Sequence, residues 1–111
     1  MLAKALAHLK SFALRTDMYV QPVSVETVQS YLFGLDAGCM FGGLAVSRDV
    51  YVRAAASRGW QFRSTGIIWH MRKKRFDDAA VIQELIAVQA EAFRLASAGS
   101  VGISHKRRPI D

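Results

Sequence analysis

The residues best suited to chemistry form a basic stretch in the middle of the chain. Segment 48–75 contains eight basic residues and one acid, Asp49, so its formal charge of +7 exceeds the +6 of the whole chain. The basic residues, called the basic set below, are Arg48, Arg53, Arg58, Arg63, Arg72, Lys73, Lys74 and Arg75. Arginine and lysine bind carboxylates and phosphates through charge-assisted hydrogen bonds. The basic set therefore predicts a surface for an anionic partner.

Aromatic residues are interleaved with these charges. Tyr51, Trp60, Phe62 and Trp69 all lie in the same segment. Arginine with aromatic side chains suits phosphate pairing with base stacking, and it equally suits a protein interface. The alternative interpretation is that the tryptophans belong to the core while the charges form a solvated face.

The sequence lacks the patterns of common catalytic and metal sites. His8, His70 and His105 are far apart, and none has a cysteine or carboxylate at metal-ligand spacing. No CxxC or HExxH occurs, and the GCMFGG stretch lacks the Gly-Lys-Ser/Thr of a phosphate-binding loop. A Cys39/His70 nucleophile pair is the remaining catalytic alternative, but Cys39 has the surroundings of a buried small hydrophobe. We predict no enzyme activity, no cofactor and no metal.

Length and composition indicate one soluble domain. The chain has 111 residues, of which 51% are hydrophobic, enough for a single core. Its only cysteine cannot form an internal disulfide, so no oxidising compartment is required. Lys4, His8 and Lys10 interrupt any signal-peptide core, and the apolar run 32–46 is too short to span a bilayer and contains Asp36. These features predict a cytoplasmic protein without a membrane span.

The strongest helical pattern covers residues 77–98. Two adjacent stripes of apolar residues recur there at steps of three, four and seven, which predicts a helix covered by neighbours on two sides. Asp77 and Asp78 suit the first turn, and Gly99 suits a C-terminal cap. We predict that this is the central helix of the fold.

Weaker patterns predict the other elements. Residues 2–15 form an amphipathic pattern with Lys4, His8, Ser11 and Arg15 on a solvated side. Further helices are predicted over 24–37, capped by Ser24, and over 47–58, capped by Ser47 and closed by Gly59. The glycines at 34, 38 and 42 allow either a continuous helix or a loop after Gly38, and we favour the loop.

Two segments allow a helix or a strand. Residues 60–71 predict either a short helix capped by Ser64 or Thr65, or a strand through GIIWHM. A short strand or an extended linker is predicted near 17–23, where Pro22 favours extended backbone at Gln21. The predicted fold is mainly α, with four or five helices packed on the C-terminal central helix and room for one short strand or hairpin. We place the domain at 1–98 and a mobile basic tail at 99–111.

Segment 44–60, LAVSRDVYVRAAASRGW, resembles the turn and recognition helix of helix-turn-helix DNA-binding proteins. In this resemblance Val46-Ser47 is the turn, and Arg48, Asp49 and Arg53 face DNA. The segment departs from that pattern where MFGG replaces the end of the preceding helix and where Tyr51 occupies a position expected to be β-branched.

The favoured function is a non-catalytic binding protein of the inhibitor or immunity type, bacterial or phage, which contacts a protein partner through the basic set. An acidic protein is favoured over nucleic acid. The alternative is a nucleic-acid-binding protein that uses 44–60. We expect no small-molecule substrate, and a homo-oligomer is compatible with the sequence.

Overall fold

In the part of the chain that the structure describes, the regular structure consists of five α-helices and one 3-10 turn. The computed structural model describes residues 1–64 and 66–106, with side chains through Ala98. In chain order the helices are α1 (Leu2–Leu14), α2 (Val25–Phe41), α3 (Arg48–Ser57), α4 (Ile68–Lys73) and α5 (Asp78–Lys106). The 3-10 turn is Thr16–Met18, and the described residues contain no strand beyond an isolated bridge between Arg63 and Gly66. The predicted mainly α fold is confirmed.

Helix α5 is the scaffold on which the other four helices pack. It begins after Asp77, whose Oδ1 accepts a hydrogen bond of 2.9 Å from the Ala80 amide, as the predicted capping requires. Its buried side chains are Val81, Ile82, Leu85, Ile86, Val88, Gln89, Ala92, Phe93 and Ala96. These residues cover more than one stripe, so the prediction that neighbours cover this helix on two sides is confirmed.

The predicted C-terminal end of this helix is wrong, because α5 continues through Gly99 to Lys106. A glycine inside a helix costs only about 1 kcal/mol, so it favours an end without imposing one. Residues 107–111 lie outside the described part of the chain. The mobility of the predicted tail therefore stays a prediction.

Helix α1 packs on α5, and its buried residues are Ala5, Leu9 and Phe12. His8, which we expected on the solvated side, is instead half-buried, and its Nε2 lies 2.6 Å from the Tyr31 hydroxyl oxygen. His8 was expected on the solvated side because histidine is a polar residue type. The Tyr31 hydroxyl of α2 provides a polar partner for the imidazole, so His8 can be half-buried. The strand considered near 17–23 is wrong, since the 3-10 turn occupies its start.

Helix α2 is longer than predicted. Ser24 caps its N-terminus by accepting a hydrogen bond of 3.1 Å from the Thr27 amide, as expected. The loop favoured after Gly38 is wrong, because the helix continues to Phe41. Gly34 and Gly38 lie on the exposed side, while buried Leu32 and Cys39 hold the helix on the core. Burial of these side chains offsets the intrinsic helix penalty of the glycines.

The segment between α2 and α5 follows the predictions in part. Ser47 caps α3 by accepting from the Val50 amide at 3.2 Å, and Gly59 follows its C-terminus with a φ of 87°. Residues 68–73 form helix α4, so the competing strand is wrong. The predicted Ser64 cap is also wrong, since the N-cap position is Ile67 without a side-chain cap, and Thr65 lies outside the described residues.

Candidate functional site

All eight members of the basic set have exposed side chains, but they lie on different elements. Arg48 and Arg53 belong to α3, and Arg58 is the residue after its last turn. Arg63 lies in the connection to α4. Arg72 and Lys73 end α4, and Lys74 and Arg75 follow immediately. Because they lie on different elements, the members of the basic set have different neighbours in the fold.

Arg58 is paired with Glu84 of α5. The guanidinium donates from Nε to Oε2 and from Nη2 to Oε1, the latter at 3.1 Å. Trp60, which is only 7% exposed, donates from Nε1 to the same carboxylate at 2.9 Å. Burial would raise the pKa of Glu84, but the hydrogen bonds from Arg58 and Trp60 and the charge of Arg58 lower it below its ordinary value. The alternative interpretation of Trp60 as a core residue is thereby confirmed.

Arg72 also has an acidic neighbour. Its Nη1 lies 2.6 Å from Oδ1 of Asp78, the first residue of α5. Both side chains are exposed, so this pair contributes little to stability. Two of the eight charges are therefore compensated within the fold.

Two further arginines lie over aromatic rings. The Arg48 guanidinium carbon is 5.1 Å from the centre of the Phe62 ring, and that of Arg63 is 3.7 Å from a Trp69 ring centre. Trp69 in turn stacks on His70 at 5.1 Å. The interleaving noted in the sequence thus produces cation–π pairs within the molecule. Their rings are partly covered by the protein's own arginines.

The remaining four basic residues are Arg53, Lys73, Lys74 and Arg75. No acid among the described residues lies within salt-bridge distance of any of them. The last three are consecutive at the C-terminal end of α4, and we call them the α4 basic cluster. Arg75 has a φ of 65°, in the left-handed region that favours glycine.

Segment 44–60 does not pack as the helix-turn-helix resemblance implies. In that motif two helices pack together across a turn of about three or four residues. Here residues 42–47 separate α2 from α3, and the main contact of α3 is with α5, where Ala54 and Ala55 are fully buried. The arginines of α3 are exposed, but the supporting arrangement differs.

A groove separates α2 from α3. Its cavity of about 330 Å³ has Leu85 and Gln89 of α5 among its lining residues. The other lining residues are Gln29, Phe33, Asp36, Val46, Ser47, Arg48, Tyr51, Phe62, Ser64, Gly66 and Ile67. Apolar and aromatic side chains therefore surround a few polar groups, as in many ligand sites.

Asp36 is the one acid among the described residues that line this groove. Its Oδ1 accepts a hydrogen bond of 3.2 Å from Nε2 of Gln89, whose side chain is 4% exposed. Burial raises the pKa of Asp36, and the bond from Gln89 opposes part of this rise. Burial also raises the pKa of Tyr51 to about 12, with a contribution from the charge of Asp36. The lining of the groove thus includes a half-buried acid.

Sequence reasoning did not identify this groove. In the sequence, Asp36 only argues against a membrane span. Gln89 lies between Leu85 and Phe93 at steps of four, so it is a polar residue within an apolar stripe. A buried polar residue needs a partner, and that requirement is the signal that could have revealed the groove. The partner itself is 53 residues away in the chain.

Comparison with known proteins identifies no relative. The chain matches no family model, no curated protein and no solved structure.

Among the side chains that the structure describes, the remaining reactive residues show no arrangement typical of a catalytic site. Burial and the charge of Asp36 raise the pKa of Cys39, which makes its thiol a poor nucleophile at neutral pH. Nδ1 of His70 accepts the Gln61 amide at 2.9 Å. The described residues contain no group of three His, Cys, Asp or Glu side chains that could hold a metal ion. Within the same part of the chain, no helix has the length and apolar character needed to cross a membrane.

Proposed function

We propose that the protein is a non-catalytic binding protein of the inhibitor or immunity type, which attaches to an acidic protein surface through the α4 basic cluster. The observation that carries this proposal is the run Lys73, Lys74 and Arg75, three consecutive exposed cations without an acid within salt-bridge distance among the described residues. The left-handed backbone of Arg75 closes α4, because the Arg75 amide donates to the Arg72 carbonyl at 2.9 Å and the Phe76 amide donates to the Met71 carbonyl at 3.0 Å. Arg75 lies at the end of three consecutive exposed cations.

The helix end alone does not explain these charges. Cations in the last turn of a helix stabilise its dipole, but α4 is only six residues long and already ends in Arg72 and Lys73. Lys74 and Arg75 add charge beyond the helix. Three adjacent cations raise the local potential and the rate of encounter with a negatively charged partner.

The aromatic residues favour a protein over single-stranded nucleic acid. Base stacking needs an open aromatic face. Trp60 is buried, Trp69 is covered on one face by Arg63, and Phe62 has Arg48 above it. The contacts of α3 with α5 also weaken the argument from the helix-turn-helix resemblance.

A nucleic-acid-binding function is the second candidate, and the charge of segment 48–75 supports it. Duplex DNA attracts cations without requiring stacking, and the affinity then falls steeply with salt. Titration of the protein with a labelled DNA duplex at several salt concentrations tests this function. A binding constant for the duplex whose logarithm falls linearly with the logarithm of the salt concentration would favour nucleic-acid binding over the proposed function.

The proposed function is tested by neutralising the α4 basic cluster. The wild-type protein and the K73Q/K74Q/R75Q variant are immobilised, and native lysate is passed over both. We expect the wild type to retain a specific acidic protein that the variant loses, because the attraction depends on these three charges. Quantitative mass spectrometry compares the retained proteins.

The matched control is the K4Q/K10Q/R15Q variant, which removes three exposed charges from α1 and its C-terminal end. It should retain the same acidic protein as the wild type. Equal loss of this protein in both variants would show that net charge alone causes the attraction. Retention of the same proteins by the wild type and by both variants would contradict the proposed function.

A further inference from the structure

The groove between α2 and α3 lies apart from the α4 basic cluster. Asp78, at the start of α5, pairs with Arg72 beside that cluster. Gln89 in the groove is eleven residues further along α5, which corresponds to roughly 16 Å at the rise of an α-helix. Ile67 at the start of α4 lines the groove, but the α4 basic cluster contributes no residue to the lining.

Asp36 has no cationic partner in the described part of the chain. Its side chain is half-buried, and only Oδ1 has a hydrogen-bond donor among the described residues, the amide of Gln89. No Lys or Arg of the same residues lies within salt-bridge distance, although the sequence has 15 such residues. A carboxylate in an apolar groove is favoured when a cation approaches it. Its second oxygen, Oδ2, is the acceptor that a ligand would use.

Aromatic residues complete the groove. Tyr51 and Phe62 contact each other edge to face at 5.7 Å, and Phe33 contributes a ring that is 65% exposed. Aromatic side chains bury apolar groups, and an aromatic face without an arginine of the described residues above it, such as that of Phe33, can also attract an organic cation. Arg48 also lines the groove, where its guanidinium lies over the Phe62 ring and forms no salt bridge with Asp36.

We propose that this groove binds a small organic ammonium compound with an apolar body. The ammonium group donates a hydrogen bond to Oδ2 of Asp36, and the body packs against the aromatic side chains. The cavity of about 330 Å³ lies at the small end of the range for ligand sites. An anion would be repelled by Asp36, and a neutral compound would leave its charge uncompensated.

The probe for this site is 2-phenylethylamine, and its neutral counterpart is 2-phenylethanol. Both are titrated into the isotope-labelled full chain, and amide shifts are followed by NMR. We expect saturable shifts with the amine at amides of 29–36, 46–51 and 85–89. The alcohol should bind about tenfold more weakly, because it lacks the charge-assisted hydrogen bond.

The deciding variant is Asp36→Asn. Asparagine keeps an oxygen that can accept the Gln89 bond, so the fold is retained, but the charge is lost. Binding of the amine should weaken about tenfold or more. Asp17→Asn removes an exposed acid that does not line the groove, and it should bind as the wild type does. The K73Q/K74Q/R75Q variant should also bind the amine normally.

Three results would overturn the proposal. One is the absence of saturable shifts at millimolar amine, and another is equal binding of the amine and the alcohol. The third is an Asp36→Asn variant with wild-type affinity and an intact spectrum. If the Asp36→Asn variant loses the native spectrum, the Gln29→Trp variant is tested in its place. Its larger side chain fills the groove from α2, so unchanged binding of the amine to this variant would also overturn the proposal.

Discussion

Glu84 of α5 contacts both a member of the basic set, Arg58, and a core residue, Trp60. Arg58 and Trp60 both donate hydrogen bonds to its carboxylate, which joins the end of α3 to α5. A carboxyl whose pKa is lowered on folding stabilises the fold above its unfolded pKa and loses that contribution as pH falls through the lowered value. The contribution of Glu84 is therefore present at neutral pH and lost in acid.

We expect Glu84→Gln to lower the free energy of unfolding by about 1–2 kcal/mol at pH 7. This cost is at the lower end for a charged hydrogen bond, because the Arg58 side chain is 42% exposed and solvent screens the pair. Urea unfolding measured at several pH values checks this. The difference in the free energy of unfolding between the variant and the wild type should become smaller below about pH 5.

Glu91→Gln is the matched control. Glu91 pairs with Arg94 on the same helix at 3.4 Å, with partly exposed side chains. Such a pair contributes about 0.5 kcal/mol or less. A cost for Glu91→Gln as large as that for Glu84→Gln would contradict the role assigned to the Arg58–Glu84–Trp60 contact.

Arg75→Gly separates stability from binding at the α4 basic cluster. Glycine adopts a φ of 65° without the steric cost that Arg75 bears, although it is more flexible in the unfolded chain. We expect the variant to be more stable by up to about 1 kcal/mol and to retain less of the acidic partner. Thermal unfolding and the immobilisation experiment measure the two effects.

Arg75→Lys serves as the companion variant, since lysine keeps the charge and the same backbone constraint. Its stability should be close to that of the wild type. A stability loss in Arg75→Gly would show that Arg75 is held by contacts that outweigh its backbone cost.

At the scale of elements, α2 shows how buried residues override weak local signals. Gly34 and Gly38 predict an interruption, but Val28, Leu32 and Cys39 on the opposite side are buried and keep the helix regular to Phe41. Both glycines are exposed, and a methyl group added at either Cα would have no neighbour within 4 Å. The glycines therefore lower the stability of the helix by their intrinsic helix penalty, and no close packing at the glycines themselves compensates for it.

Gly38→Ala should raise the free energy of unfolding by about 0.5–1 kcal/mol, because alanine is the better helix former and meets no neighbour. Chemical denaturation measures the change. Gly43→Ala is the contrasting variant: Gly43 has a φ of 96°, so alanine there should destabilise the fold. Destabilisation by Gly38→Ala would contradict a continuous exposed helix at this position.

At the scale of the whole molecule, α5 holds two separate surfaces in place. The groove is built on Leu85 and Gln89, and the α4 basic cluster is anchored near Asp78 by Arg72. Both surfaces depend on the same helix for their position, yet they share no lining residue. A homo-oligomer and a cytoplasmic location stay predictions.

Much of the fold was readable from local patterns. Ser24, Ser47 and Asp77 begin helices as predicted, because a cap depends on neighbours only two or three residues away. The apolar stripes of 77–98 identified the central helix for the same reason. Local patterns gave the wrong helix end at Gly38 and Gly99, because a modest glycine penalty favours an end without imposing one.

The candidate sites were readable only in part. Composition identified the basic set, since charge is a property of the sequence. It could not show that Arg58 and Arg72 pair with Glu84 and Asp78, or that Arg75 has left-handed backbone. The groove was missed because Asp36 and Gln89 meet across 53 residues of chain.

Sequence information was sufficient for the helical class, the capped helix starts and the excess of positive charge, because each arises from neighbouring residues or from composition. The folded chain was needed to divide the basic set into paired, stacked and available charges and to bring Asp36 into an aromatic groove. Those features depend on contacts between helices that only the packing on α5 creates. Tertiary contacts therefore decide which of the eight basic residues are paired or stacked within the molecule, and the spacing of these residues along the chain does not reveal it.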